Sequence, residues 1–299
     1  MNIKRIERIL NCQSCYPQEN EMSKTILNEL QKIVTKKDII ITPYCLIANK
    51  GTGIKPCFCS HIDTVHNIVD NYKVIKEYHQ KDVIYSSPTG IGGDDKNGII
   101  LCLELLENLD NVQVCFFSGE EVGCVGSNKI DLKYFDDCSC LIGLDRKGNS
   151  DIISDYWYSS TISKDFEKVL NKTKIKHGYN FTEGFITDVF TLFNRDVGAS
   201  CINLSCGYYQ PHTKNEYISF NDICACYEFC VDIYQNLKPV KYECFQDVVD
   251  YADAEFCCIC GHNKAYDTLQ GYLCVECMVD IINDTVMTQE NNDCYKEIF

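Results

Sequence analysis

One stretch constrains this chain more than any other: Val112-Gln113-Val114-Cys115-Phe116-Phe117-Ser118-Gly119-Glu120-Glu121. Its first six residues form a run of apolar and β-prone residues, which predicts a buried strand. The run then stops at a glycine and two adjacent carboxylates. Burying a strand whose tip carries two carboxylates is costly unless a cation waits there. In open α/β sheets, sites gather outside the carboxyl ends of the strands. The rest of the chain therefore has to supply a cation and its other ligands.

The surrounding sequence predicts an α/β fold: a twisted, largely parallel mixed sheet with helices on both faces. Two helices are expected before residue 35, broken at Cys12-Gln13-Ser14-Cys15-Tyr16-Pro17. Strands are expected within 38–48 and over Pro56–His66, followed by a hairpin from Tyr72 to Tyr85. Further strands fall at 138–145 and 199–205, with helices at 161–177 and 220–237. The expected organisation is a catalytic domain over 1–240 and a C-terminal zinc-ribbon module and tail over 241–299.

The net charge of −15 argues against binding nucleic acid or an anionic membrane by bulk electrostatics. No apolar run approaches the roughly 18–20 residues of a membrane span. The N-terminus, Met1 to Arg8, has no signal-peptide core, so a cytoplasmic protein is the expectation. The 22 cysteines lie mostly inside apolar runs, as in Cys57, Cys59, Cys102, Cys115 and Cys226. Most of them are expected to be reduced core residues, with one clustered exception near the C-terminus.

Five segments present ligand-type residues at a strand end or loop. They are His61 with Asp63, Asp94 with Asp95, Glu120 with Glu121, Asp145, and His212. Imidazole nitrogen and carboxylate oxygen are the donors expected for zinc or a similar divalent ion. A pair of ions needs a bridging carboxylate, separate terminal ligands and a carboxylate to take a proton. Each segment alone is a weak signal; their ordered arrival at predicted strand ends is the strong one.

At these residues the chain resembles the co-catalytic di-zinc exopeptidases. That group includes tripeptidase and carboxypeptidase G relatives, leucyl-type aminopeptidases and glutamyl/tetrahedral aminopeptidases. The matching segments are Ser60-His61-Ile62-Asp63-Thr64-Val65, Gly92-Gly93-Asp94-Asp95-Lys96-Asn97-Gly98, Ser118-Gly119-Glu120-Glu121-Val122-Gly123, Leu144-Asp145, and Pro211-His212-Thr213 with Glu216. The resemblance spans roughly residues 1–240. It implies that His61 and Asp145 ligate one zinc, that Glu121 and His212 ligate a second, and that Asp94 bridges them. It implies that Asp63 orients the His61 ring and that Glu120 is the general base. Cobalt, manganese or another divalent ion could take the place of zinc.

Two departures narrow the resemblance. Only 67 positions separate Asp145 from His212, leaving no room for the lid domain of the tripeptidase branch. Only 33 separate His61 from Asp94, where the tetrahedral branch carries a small domain. A single-domain aminopeptidase acting on short peptides is the expectation. A dipeptidase or N-acyl-amino-acid amidohydrolase would use the same site, and a non-catalytic zinc-ribbon interaction protein is the alternative of another class. Intact ligands and an intact Glu120 count against the last.

Specificity is poorly written. Asp188, after Thr187, matches a loop Asp near substrate in some relatives, and a helix N-cap explains it equally well. Tyr208 and Tyr209 could line the pocket, with strand-end packing the stronger account. His66 and His177 show no partner pattern.

Near the C-terminus, Cys257-x-x-Cys260 and Cys274-x-x-Cys277 flank thirteen residues. Two such knuckles are a strong four-thiolate zinc signal, with Cys258 and His262 as alternative ligands. A closed thiolate site has a structural role. The acidic neighbours Asp247, Asp250, Asp253 and Glu255 favour protein contact, homo-oligomerisation or capping over nucleic acid.

Overall fold

The structure is a computed structural model that describes residues 1–156, 159–184, 186–245, 266–268 and 271–273. The chain divides into compact units Met1–Gln246 and Asp247–Phe299. In the first unit the strands are β1 (Ile39–Ile41), β2 (Cys45–Lys50), β3 (Lys55–His61), β4 (Ile75–His79), β5 (Asp82–Ser86), β6 (Val112–Phe117), β7 (Cys138–Arg146) and β8 (Asp151–Ile153). They continue with β9 (Asp155–Tyr156), β10 (Ser159–Ser160), β11 (Asn180–Thr182), β12 (Ser200–Ser205), β13 (Tyr208–Tyr209) and β14 (Tyr217–Ser219). The helices are α1 (Ile3–Asn11), α2 (Asn20–Ile33), α3 (Gly93–Asn108), α4 (Val125–Lys129), α5 (Lys164–His177), α6 (Asp188–Asn194) and α7 (Phe220–Asn236).

Eight strands form one sheet in the order β1-β2-β6-β3-β7-β12-β8-β11. Its centre, β6-β3-β7-β12, is parallel. Strand β2 runs antiparallel to β6, β1 antiparallel to β2, and β8 antiparallel to β12. The expected mixed, largely parallel sheet is what forms. Every residue of β6 is buried, as a strand covered on both faces requires. One layer of core packs Ile6, Ile26, Ile100, Leu103 and Phe229 against the sheet, and the other packs Phe135, Phe190 and Phe193. All the described cysteines are free and most are buried, in line with their apolar surroundings.

The hairpin expected after residue 71 is β4 with β5, and it belongs to a second sheet, β13-β14-β5-β4. Helix α3 lies tightly against the main sheet. A Cβ on Gly98 would come within 2.6 Å of the Leu144 carbonyl and 2.4 Å of the Asp95 carboxylate. Only glycine permits that approach. In the second unit Tyr266–Thr268 pairs antiparallel with Gly271–Leu273.

Three helices are tied together by one buried cation. The Arg5 guanidinium on α1 donates to Glu29 on α2 at 3.3 Å and to Glu104 on α3 at 2.7 Å. All three side chains are within a few per cent of full burial. Removing the arginine leaves the buried Glu104 with only the N-terminal amine, at 3.9 Å, as a cationic partner and the buried Glu29 with only the more exposed Arg8 and Lys32, and breaking a buried pair costs about 3–5 kcal/mol. Exposed Lys32 also meets Glu29, but solvent-exposed cations contribute only about 0.2–1 kcal/mol. We therefore expect Arg5→Ala to destabilise strongly in urea unfolding and Lys32→Ala to be nearly neutral. Equal effects from the two would contradict this account.

Candidate metal centre

The parallel strands deliver their ends to one edge. His61 closes β3, Ser118–Glu121 follow β6, and Asp145 lies near the end of β7. Asp94 and Asp95 open α3 with non-helical backbone. His212 lies between β13 and β14. All five segments expected from the sequence converge.

Asp94 sits between two imidazoles. Its Oδ1 is 3.0 Å from His61 Nε2, and its Oδ2 is 3.3 Å from His212 Nε2. On the first side, Asp145 Oδ1 lies 3.6 Å from His61 Nε2. On the second, Glu121 Oε2 lies 3.3 Å from His212 Nε2. His61, Asp94 and Glu121 bring ligand atoms within 4.8 Å of one another and could hold a metal ion, as could His61, Asp95 and Asp145. The buried Glu121 Oε1 has no hydrogen-bond partner, and His212 Nε2, though 3.3 Å from two carboxylates, makes no hydrogen bond of good geometry to either. Under-satisfied polar atoms in a cluster of acids need an explanation; a cation supplies it, so the residues fit a metal.

Neighbouring groups fix these side chains. His61 Nδ1 lies 2.9 Å from the main-chain carbonyl of Asp63. That contact keeps the proton on Nδ1 and leaves Nε2 as the electron-pair donor. The Asp63 carboxylate is farther from the ring, 3.5 Å. It accepts instead from the backbone N–H groups of Glu120 at 3.0 Å and Glu121 at 3.2 Å. Asp63 thus orients the imidazole mainly through its backbone, and its side chain shapes the acidic turn. Glu19 holds the other end of that turn, accepting from Ser118 Oγ at 2.5 Å and Gly119 N at 3.0 Å. Gly119 has φ +68, the left-handed region glycine favours.

Asp95 is fully buried and accepts from the backbone N–H of His61 at 3.1 Å and of Gly98 at 2.9 Å. Glu216, equally buried, accepts from Gly92 N at 2.7 Å and Asp94 N at 3.0 Å, and meets His66 Nε2 at 2.6 Å. It anchors the loop that carries Asp94. Asp145 accepts from Thr187 Oγ1 at 3.2 Å and from the Tyr208 hydroxyl at 3.3 Å. Sequence patterns did not single out Glu19, Asn203, whose side chain bonds the Asp145 backbone at 3.0 and 2.7 Å, or His66 for these positions. Each is a lone polar residue whose partner lies far along the chain, and no local spacing marks it.

Asp188 is buried and accepts from Ser127 Oγ at 2.5 Å. Burial pushes its carboxyl up to about 7 against that hydrogen bond. The expected N-cap role does not hold: Asp188 is the first residue of α6, and Thr187, with extended backbone, occupies the cap. Tyr209, named with Tyr208 from the sequence, is committed elsewhere. Its hydroxyl donates to Asp222 at 2.6 Å, and its ring stacks on Tyr217 at 4.9 Å. Arg146 pairs with Asp151 at 3.1 Å, and Arg195 donates to the carbonyls of Ser127 and Ile130. His177, like His66, has a carboxylate partner, Asp232. The quartet Cys257, Cys260, Cys274 and Cys277 lies outside the described residues.

No protein-family pattern matches the chain, and no curated protein matches it in sequence. Solved structures do match. Aminopeptidase PepT from Bacillus cereus superposes with a TM-score of 0.63 at 14% identity, over 78% of this chain and 97% of that one. A tripeptidase from Staphylococcus aureus gives 0.63 at 13% identity, over 79% and 98%. The TET1 peptidase of Pyrococcus horikoshii, which assembles into a tetrahedron or a large octahedral shell, gives 0.58 at 14% identity, over 78% and 98%. The chain has the fold of these peptidases.

Two predictions follow from the geometry. The carboxylates Asp94 and Glu121 hold the His212 imidazole up to about 10. At pH 7.5 that ring therefore carries a proton, and a metal needs the neutral nitrogen. Metal binding should release protons at pH 7.5 and weaken as the pH falls. Titration calorimetry in buffers of different ionisation enthalpy reads the release; no dependence on buffer would contradict it. Second, Glu216→Ala removes the acceptor for two buried N–H groups, each costing about 1–3 kcal/mol when left unpaired. It should lower both stability and metal content, whereas exposed Glu77→Ala should change neither.

Proposed function

We propose that the chain is a metal-dependent peptide hydrolase, an aminopeptidase of short peptides working with two divalent ions, zinc by preference. The observation that carries this reading is Asp94 set between the pairs His61–Asp145 and His212–Glu121, with the buried Glu120 within electrostatic reach of His61, Asp145 and Glu121. Under it, His61, Asp145 and Asp94 would hold one ion, and Glu121, His212 and Asp94 the other. Bound there, the ions supply Lewis acidity that polarises a scissile carbonyl and acidifies water. The chain's own part is proton movement and placement. Glu120 takes the proton of the attacking water and delivers it to the leaving amine. Asp63 sets the backbone of Glu120 and Glu121 so that the neighbours face different work. Thr187 and Tyr208 hold Asp145.

The charge of the site favours a substrate's amino end. The surroundings of Glu120 are Asp145, Asp188 and Glu121, with His61 as the counter-charge. Arg146 and Arg195, which could otherwise receive a substrate carboxylate, are spent on Asp151 and on backbone carbonyls. Asp188 is accordingly assigned to the substrate side. The aminopeptidase, tripeptidase and TET1 neighbours support the same reaction class. We also assign Cys257, Cys260, Cys274 and Cys277 to a structural zinc in a separate module beyond about residue 240, in a cytoplasmic protein. Homo-oligomerisation through that module is part of the proposal.

The full-length chain, loaded with zinc, tests this. About three zinc ions per chain are expected, two at the centre and one in the cysteine quartet. Chelation should abolish cleavage of free-amine dipeptide and tripeptide amides, and N-acetylated versions should not be cleaved. Glu120→Gln should keep its zinc and lose turnover by roughly 10²–10⁴-fold, the range for a general acid–base group. Turnover surviving in that variant would overturn the assignment of the base, and preferential cleavage of acetylated substrates would make the enzyme a deacylase.

A further inference from the structure

We propose that Cys124 is a positioning residue for Glu120: its thiol holds one oxygen of that carboxylate and leaves the other free to accept a proton. This rests on Glu120 being the base.

Cys124 Sγ lies 3.6 Å from Glu120 Oε1, within the reach of a thiol donor. Among the described residues, this is the one hydrogen bond recorded to the Glu120 side chain. The backbone brings the two together. The N–H groups of Gly123 and Cys124 both donate to the Glu120 carbonyl, at 3.0 and 2.9 Å, closing a tight turn. Cys124 sits there with φ 53, in the left-handed region that side chains rarely adopt. Glycine adopts such a conformation at less cost than a residue with a Cβ. Here the side chain is present and is only 2% exposed.

The thiol is itself supported. The Thr191 hydroxyl, on α6, is a polar neighbour of the same sulfur. Ser127 Oγ lies 3.2 Å from the Cys124 carbonyl and 2.5 Å from Asp188. Ser127 thus ties the Cys124 backbone to Asp188 at the start of α6. Burial, then the charges of Asp188 and Glu120, push the thiol pKa up. It stays protonated at neutral pH and remains a donor, if a weak one. Nucleophilic work by this sulfur is excluded by the same burial.

Holding the base costs it rotational freedom before the reaction, which is where positioning gains rate. A single hydrogen bond of this kind is worth roughly a three- to tenfold change. Cys124→Ala in the zinc-loaded, full-length protein should lower kcat by that factor with KM and zinc content unchanged. Cys124→Ser, which keeps a donor, should return to within about twofold of wild type. Wild-type kcat in Cys124→Ala, or loss of zinc along with rate, would overturn the proposal. A second readout needs neither metal nor turnover. The S–H stretching band isolated by subtracting the Cys124→Ala infrared spectrum should lie at a hydrogen-bonded frequency and move up in a Glu120→Ala background. A band that does not move refutes the contact. If Glu120→Gln keeps its turnover while the band moves, the base assignment fails and the thiol contact stands.

Discussion

A carboxylate held between two imidazoles at the edge of a buried sheet is an expensive object, and most of the surrounding structure exists to hold it there. Asp94 has one oxygen on His61 and the other on His212. Around it stand Asp145, Glu121, Asp95 and Glu120, each pushed by burial toward its neutral form. Such a concentration of acid persists only if positive charge and hydrogen-bond donors are brought to it. The fold supplies the donors from its backbone. Glu216 takes N–H groups from the Asp94 loop, Asp95 from His61, and Asp63 from the acidic turn. Cations bound there would complete the balance.

The turn after β6 shows how two adjacent residues can serve different ends. Both backbone N–H groups are fixed by one carboxylate, Asp63. Successive side chains then diverge: Glu121 reaches His212, and Glu120 reaches Cys124. Glu19 and the positive φ of Gly119 set the entry to this turn. The strand behind it is wholly buried, so the turn has a rigid base.

Much of this was legible in the chain because the signals were local. An apolar run ending in Gly-Glu-Glu predicts a strand and its acidic tip, and β6 covers the run residue for residue. His61-x-Asp63 and Gly-Gly-Asp94-Asp95 mark a strand end and a helix entry for the same reason, and both are found there. Glu19, Glu216 and His66 were harder. Glu216 was part of a matching segment but had no role until its distance to Gly92 and Asp94 was known. Glu19 lies 99 positions from Ser118 and looks like an ordinary helix start. Tyr208 and Tyr209 are adjacent and chemically identical, and alternation along β13 sends only the first to Asp145. The first carboxylate of the pair at 94–95 takes the central place, and the second turns to the backbone.

The central claim is that Asp94 is shared by two cations. Crystals of the full-length protein soaked in zinc, with anomalous scattering collected at the zinc edge, test it directly. Two peaks are predicted on either side of Asp94, roughly 3.5–4 Å apart, one against His61 and Asp145 and the other against His212 and Glu121. A single peak, or a pair that leaves Asp94 on one ion alone, would contradict the account.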